Sequence, residues 1–457
     1  MVAAWRVTLA RAAYTAALRL SLPLWFIKFW WRGRREPLYR AFWGERLGQA
    51  DSTPVPDRLW LHAVSLGETH AAAPLIAELR HQRPGLQLLL THGTATGRAA
   101  GAALLQPGDA QAWLPIDTPG AVRRFLRQHR PALGVVMETE VWPNLLHAAF
   151  EQGVPMVLAN ARLSARSLAR GQRTAALMRP ALWAFDTVLA QTDADAERLR
   201  AAGARQVQVV GNLKFDLTPD PARLSLGRAW RAAVGRPVVL AVSTREGEEP
   251  PLLRAWANAL RRAETSSDAD VSRAARSIDR PAPAPLLLLV PRHPQRFDAV
   301  AAMVSASGLS VLRRSSWNQQ PPAAARDADV WLGDSMGELP LYYALADVAL
   351  LGGSFAALGG QNLIEAAACG CPVVMGPHTF NFAQAAEQAE AAGVAWRVPS
   401  VEDGVELALR LCAPAITDAD ADTDATEARR TAARAFAARH RGAAATMAQQ
   451  VLGHWPT

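Results

Sequence analysis

Residues 59–92 read LWLHAVSLGETHAAAPLIAELRHQRPGLQLLLTH, and this stretch predicts how the chain folds. Two short apolar runs, 59–64 and 86–92, flank a segment with the apolar spacing of an amphipathic helix. A strand, a helix and a second strand in this order form a βαβ unit, whose two strands lie parallel in one sheet. The stretch therefore predicts an α/β fold built on parallel sheets.

The same alternation continues along the chain and pauses once. Further apolar runs of the first series lie at 134–138, 154–160 and 187–191, and a second series occupies 237–243, 286–291, 329–334, 347–353 and 372–376. A chain of 457 residues is long enough for two cores, so we expect two doubly wound domains. Ligands of such folds bind at the carboxyl ends of the strands, which predicts a site in a cleft between the domains.

These patterns divide the chain into five predicted parts. Residues 1–39 form a separate N-terminal segment, 40–214 the first domain, 215–235 a linker, 236–428 the second domain, and 429–457 a C-terminal helix that packs back on the first domain. The linker is placed at 215–235 because this segment has Pro and Gly signals and no strand pattern. Segments 264–285 and 417–427 are predicted to be solvated loops from their polar composition.

The first 39 residues have the composition of a membrane-interface segment. An apolar run over 12–27 is followed by Trp30 and Trp31 and then by arginines at 32, 34 and 35. A cleaved signal peptide is disfavoured, because arginines are spread through the segment and no small-residue cleavage site follows it. We favour membrane contact over a helix packed only on the protein itself. The pattern leaves open whether the segment spans the membrane or lies on it.

The charge balance favours an anionic partner. The formal net charge is +8 and the isoelectric point is about 10.2, which suits a membrane surface, a lipid phosphate, a nucleotide or a nucleic acid. Neither aromatic residues interleaved with basic ones nor a zinc-ligand spacing supports nucleic-acid binding. Three cysteines give no disulfide framework, which suits a reducing compartment.

Three charged residues follow predicted strands of the first domain: Glu68 in HAVSLGETHAA, Glu138 in METEVWPN and Lys214 in GNLKFD. Parallel strands bring Glu68 and Glu138 to one edge of the sheet, where two carboxylates raise each other's pKa. Glu68 could take a proton from an acceptor hydroxyl, or it could only complement the dipole at the start of its helix. Lys214 could counter a carboxylate or a phosphate.

The second domain contains candidate nucleotide-binding segments. They are Pro291 and Arg292 in VPRHPQRF, Met336, Gly337 and Glu338 in GDSMGELP, and Asn362, Leu363, Ile364 and Glu365 in GGQNLIEAAACG. Backbone N–H groups at such turns and helix starts can hold a phosphate or a base. The carboxylate of Glu365 can accept hydrogen bonds from both ribose hydroxyls.

The motifs SLGE, METEVWPN, NARLS, GNLKFD, PRHPQRF, SMGEL, GGSF and GQNLIEAAACGCPVVMGP occur in this order. On these motifs the chain resembles the 3-deoxy-D-manno-octulosonate (Kdo) transferases over nearly its whole length. The resemblance implies a GT-B glycosyltransferase with two Rossmann-like domains facing across a cleft and an N-terminal membrane-anchor helix. It implies inverting transfer of Kdo from CMP-Kdo to the lipid A precursor lipid IVA in lipopolysaccharide inner-core synthesis. The implied location is the inner membrane, with the catalytic domains on the cytoplasmic side.

The resemblance also implies the role of each site residue. Glu68 matches the general base, Glu138 and Lys214 match residues that stabilise the transition state, and the three segments of the second domain match those that bind CMP. It implies no metal cofactor, and the Asp-x-Asp pairs of this chain, at 193/195, 268/270 and 327/329, are not predicted at the carboxyl end of a strand. The alternative is another GT-B enzyme, a transferase or an epimerase, that uses a UDP-sugar.

Overall fold

The computed structural model describes residues 4–49, 55–271, 284–412 and 419–456. The chain divides into two compact units, one formed by Met1–Leu217 with His440–Thr457 and the other by Thr218–Arg439. Within the described residues each unit contains one seven-stranded sheet, and every strand pairing in it is parallel. The predicted α/β fold with two parallel sheets is confirmed.

The first unit alternates strands and helices. Its strands are β1 (Leu59–His62), β2 (Leu88–His92), β3 (Ala110–Trp113), β4 (Leu133–Met137), β5 (Met156–Ala161), β6 (Thr187–Ala190) and β7 (Val207–Val209). Its helices are α1 (Ala4–Arg32), α2 (Trp43–Arg46), α3 (Leu66–Gln82), α4 (Ala95–Ala102), α5 (Pro119–His129), α6 (Pro143–Glu151), α7 (Ala165–Arg173), α8 (Ala175–Trp183) and α9 (Asp193–Ala202). Two 3-10 turns lie at Pro37–Arg40 and Leu213–Asp216.

The strand order of this sheet determines where a ligand can bind. The order is β3-β2-β1-β4-β5-β6-β7, so the direction of winding reverses between β1 and β4. These two strands are in register, with Leu59 opposite Leu133 and His62 opposite Val136. The turns that follow β1 and β4 therefore lie side by side at the topological switch point, the usual ligand position in such sheets.

The central strands of this sheet are buried and mostly apolar, because helices cover both faces of the sheet. In β1, Leu59 and Leu61 enter one core and Trp60 enters the other. This follows from the two-residue period of a strand, which sends successive side chains to opposite faces.

The second unit repeats the architecture. Its strands are β8 (Val238–Thr244), β9 (Leu286–Pro291), β10 (Val311–Arg313), β11 (Val330–Leu332), β12 (Val348–Leu351), β13 (Val373–Met375) and β14 (Ala395–Arg397), in the order β10-β11-β9-β8-β12-β13-β14. Its helices are α10 (Pro221–Val234), α11 (Glu249–Val271), α12 (Phe297–Ala306), α13 (Leu339–Leu345), α14 (Leu363–Ala368), α15 (Ala383–Ala391), α16 (Val401–Cys412) and α17 (Ala419–Arg439). Short 3-10 turns lie at Pro294–Arg296, Arg314–Ser316 and Ala323–Arg326.

The predicted linker, 215–235, contains the helix α10. Asp220 caps it by accepting a hydrogen bond from the N–H of Ala222 at 2.9 Å, and Gly235 ends it with φ +67°. The fully buried Trp230 belongs to the core, and a Cβ on Gly227 would lie 2.3 Å from the carbonyl oxygen of Leu341 in α13. The Pro and Gly signals of this segment thus mark the start and end of a helix of the second unit.

The predicted polar loops differ in part from the structure. Helix α11 extends to Val271, so residues 264–271 are helical, while 272–283 lie outside the described residues. Helix α17 includes 419–427, and 417–418 lie outside the described residues. Serine, aspartate and alanine are as compatible with a solvated helix as with a loop, so composition did not separate the two.

The C-terminal segment 429–457 is divided between the units. Helix α17, which ends at Arg439, lies in the second unit, and a last helix, α18 (Ala443–Leu452), lies in the first. Met447 and Val451 of α18 are buried in the first unit's core. Asp216 caps α18, because its carboxylate accepts hydrogen bonds from the N–H groups of Gly442 and Ala444 at 2.6 and 2.9 Å.

Helix α1 lies against the first unit along one side. The hydroxyl of Tyr14 donates a 3.0 Å hydrogen bond to Asp117, and the ring of Phe29 stacks on Tyr39. The opposite side exposes large apolar side chains, among them Leu20 with 82% and Leu24 with 68% of its surface exposed. None of the helices in the described part of the chain has the length and apolar character needed to cross a membrane.

Candidate active site and nucleotide site

Glu68 lies in the first turn of α3, directly after β1. The hydroxyl of Ser65 accepts the N–H of Glu68 at 3.4 Å and donates to its Oε1 at 3.2 Å. The N–H of Val64 donates to Oε2 at 2.8 Å. The carboxylate is thus folded back over the turn that precedes its own helix, an arrangement related to a capping box.

The pKa of Glu68 is raised from 4.5 to about 7. Burial is the main cause, because it disfavours the charged form, and the negative charges of Glu138 and Glu140 raise the pKa further. The hydrogen bonds from Val64 and Ser65 oppose these effects without cancelling them. A pKa near 7 lies in the range that suits a general base working near neutral pH.

Glu138 follows β4 in a strained backbone conformation. It has φ +58°, which non-glycine residues rarely adopt, and only 8% of its surface is exposed. Arg162, which follows the neighbouring strand β5, donates to its carboxylate at 3.1 Å. Strain of this kind persists where the surroundings hold a residue firmly, and it is common at functional sites.

Lys214 completes a charge cluster with the two glutamates. Burial lowers its pKa, and the negative charges of Glu138 and Glu68 oppose that decrease. The backbone N–H of Lys214 donates to the side-chain oxygen of Asn212 at 3.0 Å. The backbone N–H of Leu213 donates to the side-chain oxygen of Asn160 at 3.1 Å. The structure therefore brings together the three residues that the sequence selected in the first domain.

In the second unit, Arg292 and Glu365 are close enough for charge interaction. Arg292 follows Pro291, the last residue of β9, and its N–H donates to the carbonyl of Thr244 at 3.0 Å. Burial raises the pKa of Glu365, and the positive charge of Arg292 counteracts that rise. A guanidinium and a carboxylate side by side can recognise the phosphate and the ribose of a nucleotide respectively.

The four consecutive residues predicted at the start of α14 are not equivalent. Asn362 caps the helix by accepting the N–H of Ile364 at 3.2 Å. The side chains of Leu363 and Ile364 are 1% exposed and pack in the core. Only the backbone of Leu363 and Ile364 remains for a ligand, whereas Glu365 still offers its carboxylate.

Glu338 lies just before α13, and its carboxylate accepts several hydrogen bonds. Arg314 donates to it at 3.0 Å and Tyr342 at 3.2 Å, and Ser335 donates as well. Burial alone would raise the pKa of Glu338, but the Ser335 hydrogen bond and the Arg314 charge outweigh burial and lower it. The adjacent Met336 is 64% exposed and Gly337 has φ +76°, so this turn presents backbone and an apolar side chain to solvent.

Sequence reasoning missed three charged residues that support these sites. Glu248 accepts hydrogen bonds from the N–H groups of Gly353 and Ala356, and so holds the loop of the GGSF motif. Arg162 and Arg314 pair with Glu138 and Glu338 as described above. For Glu248 the available signal was its position in the chain, because it follows β8 even more closely than Glu68 follows β1. It lies at the second unit's own switch point, between β8 and β12.

The described residues contain no group of three or more His, Cys, Asp or Glu side chains placed to hold a metal ion. Asp195, from one of the Asp-x-Asp pairs, accepts the N–H of Leu163 at 2.9 Å and bonds Thr192 at the start of α9. Its oxygens therefore have a local structural role.

Comparison with known proteins identifies the family. The chain is 48% identical to the 3-deoxy-D-manno-octulosonic acid transferase of Bordetella pertussis, over 95% of this chain and 97% of that protein. It belongs to the Kdo transferase family. A relative of the same name from Haemophilus influenzae is 35% identical over 81% of this chain and 83% of its own length. Residues 41–217 also match the family model described as 3-deoxy-D-manno-octulosonic-acid transferase (kdotransferase).

The chain also has structural neighbours of low sequence identity. The UDP-GlcNAc 2-epimerase of Neisseria meningitidis, in a crystal structure with UDP-GlcNAc, matches with a TM-score of 0.53 and 14% identity, over 87% of this chain and 99% of that one. At this identity the likeness shows the fold alone, which is GT-B-like. The membership of the family, rather than this neighbour, makes the protein a glycosyltransferase.

Proposed function

We propose that this Kdo transferase moves Kdo from CMP-Kdo to the lipid A precursor lipid IVA, in the synthesis of the lipopolysaccharide inner core. The acceptor hydroxyl attacks the anomeric carbon of Kdo from the side opposite CMP, so the configuration inverts. The bond to CMP breaks and its electron pair leaves with the CMP phosphate. The proton of the acceptor hydroxyl goes to Glu68.

The observation that carries this proposal is the state of Glu68. Its pKa of about 7 keeps a substantial fraction ionised at neutral pH while making it a far better proton acceptor than an ordinary glutamate. Two donors hold the carboxylate, and its two oxygens have further lone pairs for a substrate hydroxyl. We assign to Glu138 and Lys214 the stabilisation of charge that develops on the reacting sugar.

We assign CMP to the second unit. Arg292 supplies a positive charge for the phosphate, and Glu365 supplies acceptors for the ribose hydroxyls. Met336, Gly337 and Glu338 form the turn that would contact the base. In this assignment protein side chains bind the charged and polar groups of CMP, so the proposed reaction uses no resident metal.

We propose further that α1 attaches the enzyme to the cytoplasmic face of the inner membrane, an anionic surface. Leu20, Leu24, Ile27 and Trp31 are spaced by four, three and four residues, so they share one side of the helix, and each is at least 61% exposed. The exposed apolar side ends at Trp31, and Arg32, Arg34 and Arg35 follow it in the sequence. An apolar helix side followed by basic residues suits the interface of an anionic membrane.

The reaction is tested with the purified full chain, CMP-Kdo and lipid IVA, followed by mass spectrometry of the lipid. We expect the lipid to gain the mass of Kdo, and the number of additions is read in the same spectrum. No gain with CMP-Kdo, together with transfer or epimerisation of a UDP-sugar, would establish the alternative. CMP, rather than UDP, should raise the melting temperature of the protein.

Membrane attachment is tested on the exposed side of α1. Deleting residues 1–39 is a poor test, because it also removes Phe29 and Tyr39 from the core. A Leu20→Gln, Leu24→Gln, Ile27→Gln variant leaves those contacts intact and should lose binding to anionic phospholipid vesicles in flotation. Val209→Gln, which changes a 42% exposed apolar residue elsewhere, is the control. Undiminished flotation of the triple variant contradicts the assignment.

A further inference from the structure

The turn that carries Glu68 is held by the segment that joins β2 to α4. This segment, which we call the loop 91–97, reads THGTATG: it contains the last two residues of β2, then Gly93 and Thr94, and then the first turn of α4. The carbonyl oxygen of Val64 accepts three hydrogen bonds from it: the N–H groups of Gly93 and Thr94, both at 3.0 Å, and the hydroxyl of Thr94 at 3.1 Å. Since the N–H of Val64 donates to Glu68, a single residue joins the loop to the carboxylate.

The loop and the turn are packed too closely for a side chain between them. A Cβ on Gly97 would lie 2.9 Å from the hydroxyl oxygen of Thr94, 3.0 Å from the carbonyl carbon of Ser65 and 3.2 Å from the carbonyl oxygen of Val64. A Cβ on Gly93 would lie 2.9 Å from the side chain of Val64. Because the Thr94 hydroxyl and backbone atoms of the turn occupy that space, an added methyl group at Gly97 must push the hydroxyl aside or shift the turn by a few tenths of an ångström. Either change disturbs the hydrogen bonds that hold Val64.

A second set of contacts fixes the other side of the turn. The hydroxyl of Thr69, the residue after Glu68, donates to the carbonyl of Ser65 at 2.9 Å. The same hydroxyl lies 3.4 Å from Nδ1 of His92, whose ring is fully buried beneath it. Both carbonyl groups of the Val64–Ser65 pair are therefore fixed, and the turn has little freedom to move independently of β2.

We propose that the loop 91–97 is a positioning element for the general base: Thr94 and Gly97 hold the Val64–Ser65 pair where the Val64 N–H fixes the orientation of the Glu68 carboxylate. Thr94 and Gly97 touch no reacting atom in this account and act through Val64. The inference rests on the proposed role of Glu68. A carboxylate released from the Val64 N–H would rotate, and a proton acceptor that is misplaced by a fraction of an ångström loses much of its effect.

Gly97→Ala is the most direct test, because it removes no polar group and disturbs the hydrogen bonds that hold Val64. We expect turnover to fall by about 10-fold to 10²-fold. The acidic limb of the pH profile should also move to higher pH, because the Val64 hydrogen bond holds the pKa of Glu68 down. The affinity for CMP, measured by calorimetry, should not change. The matched control is Gly171→Ala in α7, where a Cβ meets nothing within 4 Å.

Thr94 provides a second test that does not depend on Gly97→Ala folding. Thr94→Val removes the hydroxyl that donates to Val64 and accepts the N–H of Gly97 at 3.2 Å, so it should lower turnover and shift the pH profile in the same direction. Thr94→Ser keeps the hydroxyl and should restore both. A purely structural role predicts instead a lower melting temperature in Thr94→Val with an unmoved pH profile.

The outcomes separate this inference from the proposed function. If Glu68→Gln is nearly inactive while Gly97→Ala and Thr94→Val keep normal turnover and pH profile, the base assignment stands and the positioning role is wrong. If Glu68→Gln turns over normally, the base assignment is wrong and the inference falls with it. Should Gly97→Ala not fold, the comparison of Thr94→Val with Thr94→Ser decides.

Discussion

Each unit contains the four-residue pattern Ser-x-Gly-Glu, and the two copies differ in backbone conformation. Residues 65–68 read SLGE and residues 335–338 read SMGE, and each follows a strand of a parallel sheet. In the first, Glu68 already belongs to α3. In the second, Gly337 has φ +76° and Glu338 precedes α13. Pro340, near the start of α13, favours a helix that begins just before it, whereas THAA after Glu68 has no such signal.

The two carboxylates differ more in proton affinity than in local sequence. Each is partly buried and each has a serine three residues earlier as a partner. Burial is the main cause that raises the pKa of Glu68 to about 7, and the charges of Glu138 and Glu140 add to it. For Glu338 the hydrogen bond from Ser335 and the charge of Arg314 outweigh burial and hold the pKa below its ordinary value. The comparison shows that residues distant in sequence determine which carboxylate can act as a base.

The largest expected effect is on Glu68. Glu68→Gln keeps the size of the side chain and removes its basicity, so turnover should fall by about 10² to 10⁴ while CMP affinity stays the same. Glu78→Gln, in the same helix, is the control. Rates are measured with saturating CMP-Kdo and lipid IVA. Near-normal turnover in Glu68→Gln would transfer the role of base to Glu138 as the next candidate.

The electrostatic surroundings of Glu365 are intermediate between those of Glu68 and Glu338, because burial raises its pKa and the positive charge of Arg292 opposes the rise. Glu365→Ala removes charge-assisted hydrogen bonds to the ribose, worth about 1.5–3 kcal/mol in total, so CMP should bind about 10-fold to 150-fold more weakly. Calorimetry measures the affinity, and circular dichroism checks that the fold is kept. An unchanged affinity removes Glu365 from the nucleotide site.

The pH dependence of kcat/KM distinguishes Glu68 from an ordinary glutamate. The base must be ionised, and its pKa is about 7, so kcat/KM should fall about tenfold per pH unit below a midpoint near pH 7. Initial rates between pH 5 and 9 give the profile. An acidic limb centred near the ordinary pKa of 4.5 would contradict the raised pKa of the base.

The smallest expected effect is on stability. The folded pKa of Glu68 is above its unfolded value, so its contribution is fully present below about pH 4.5 and is lost as pH rises through about 7. Glu68→Gln lacks this loss, so from pH 5 to pH 8 the wild type should lose stability relative to the variant. We expect on the order of 1 kcal/mol, because solvent reaches part of the side chain and screens it. Thermal unfolding of both proteins at the two pH values measures the change, and a difference that is constant with pH contradicts the raised pKa.

Local sequence patterns predicted the central strands well and the boundary between the two units poorly. The apolar runs located the central parallel strands, because strands buried on both faces must be largely apolar. They did not locate β3, β10 and β14, which lie at the edges of the two sheets. The Pro and Gly residues of 215–235 gave the same signal for a linker as for a capped helix. Only the packing of Trp230 and Gly227 assigned that segment to the second unit.

The sequence by itself determined the α/β class and the family, through the order of its motifs. It also placed Glu68, Glu138 and Lys214 after strands, because the strand and turn patterns are local. The tertiary structure alone decided the pKa of Glu68, the pairing of Glu138 with Arg162, and the hydrogen bonds between residues 91–97 and the Val64–Ser65 turn. The physical reason is that burial and charge act through space: the groups that set a proton's affinity come from neighbouring strands that lie tens of residues apart in the chain.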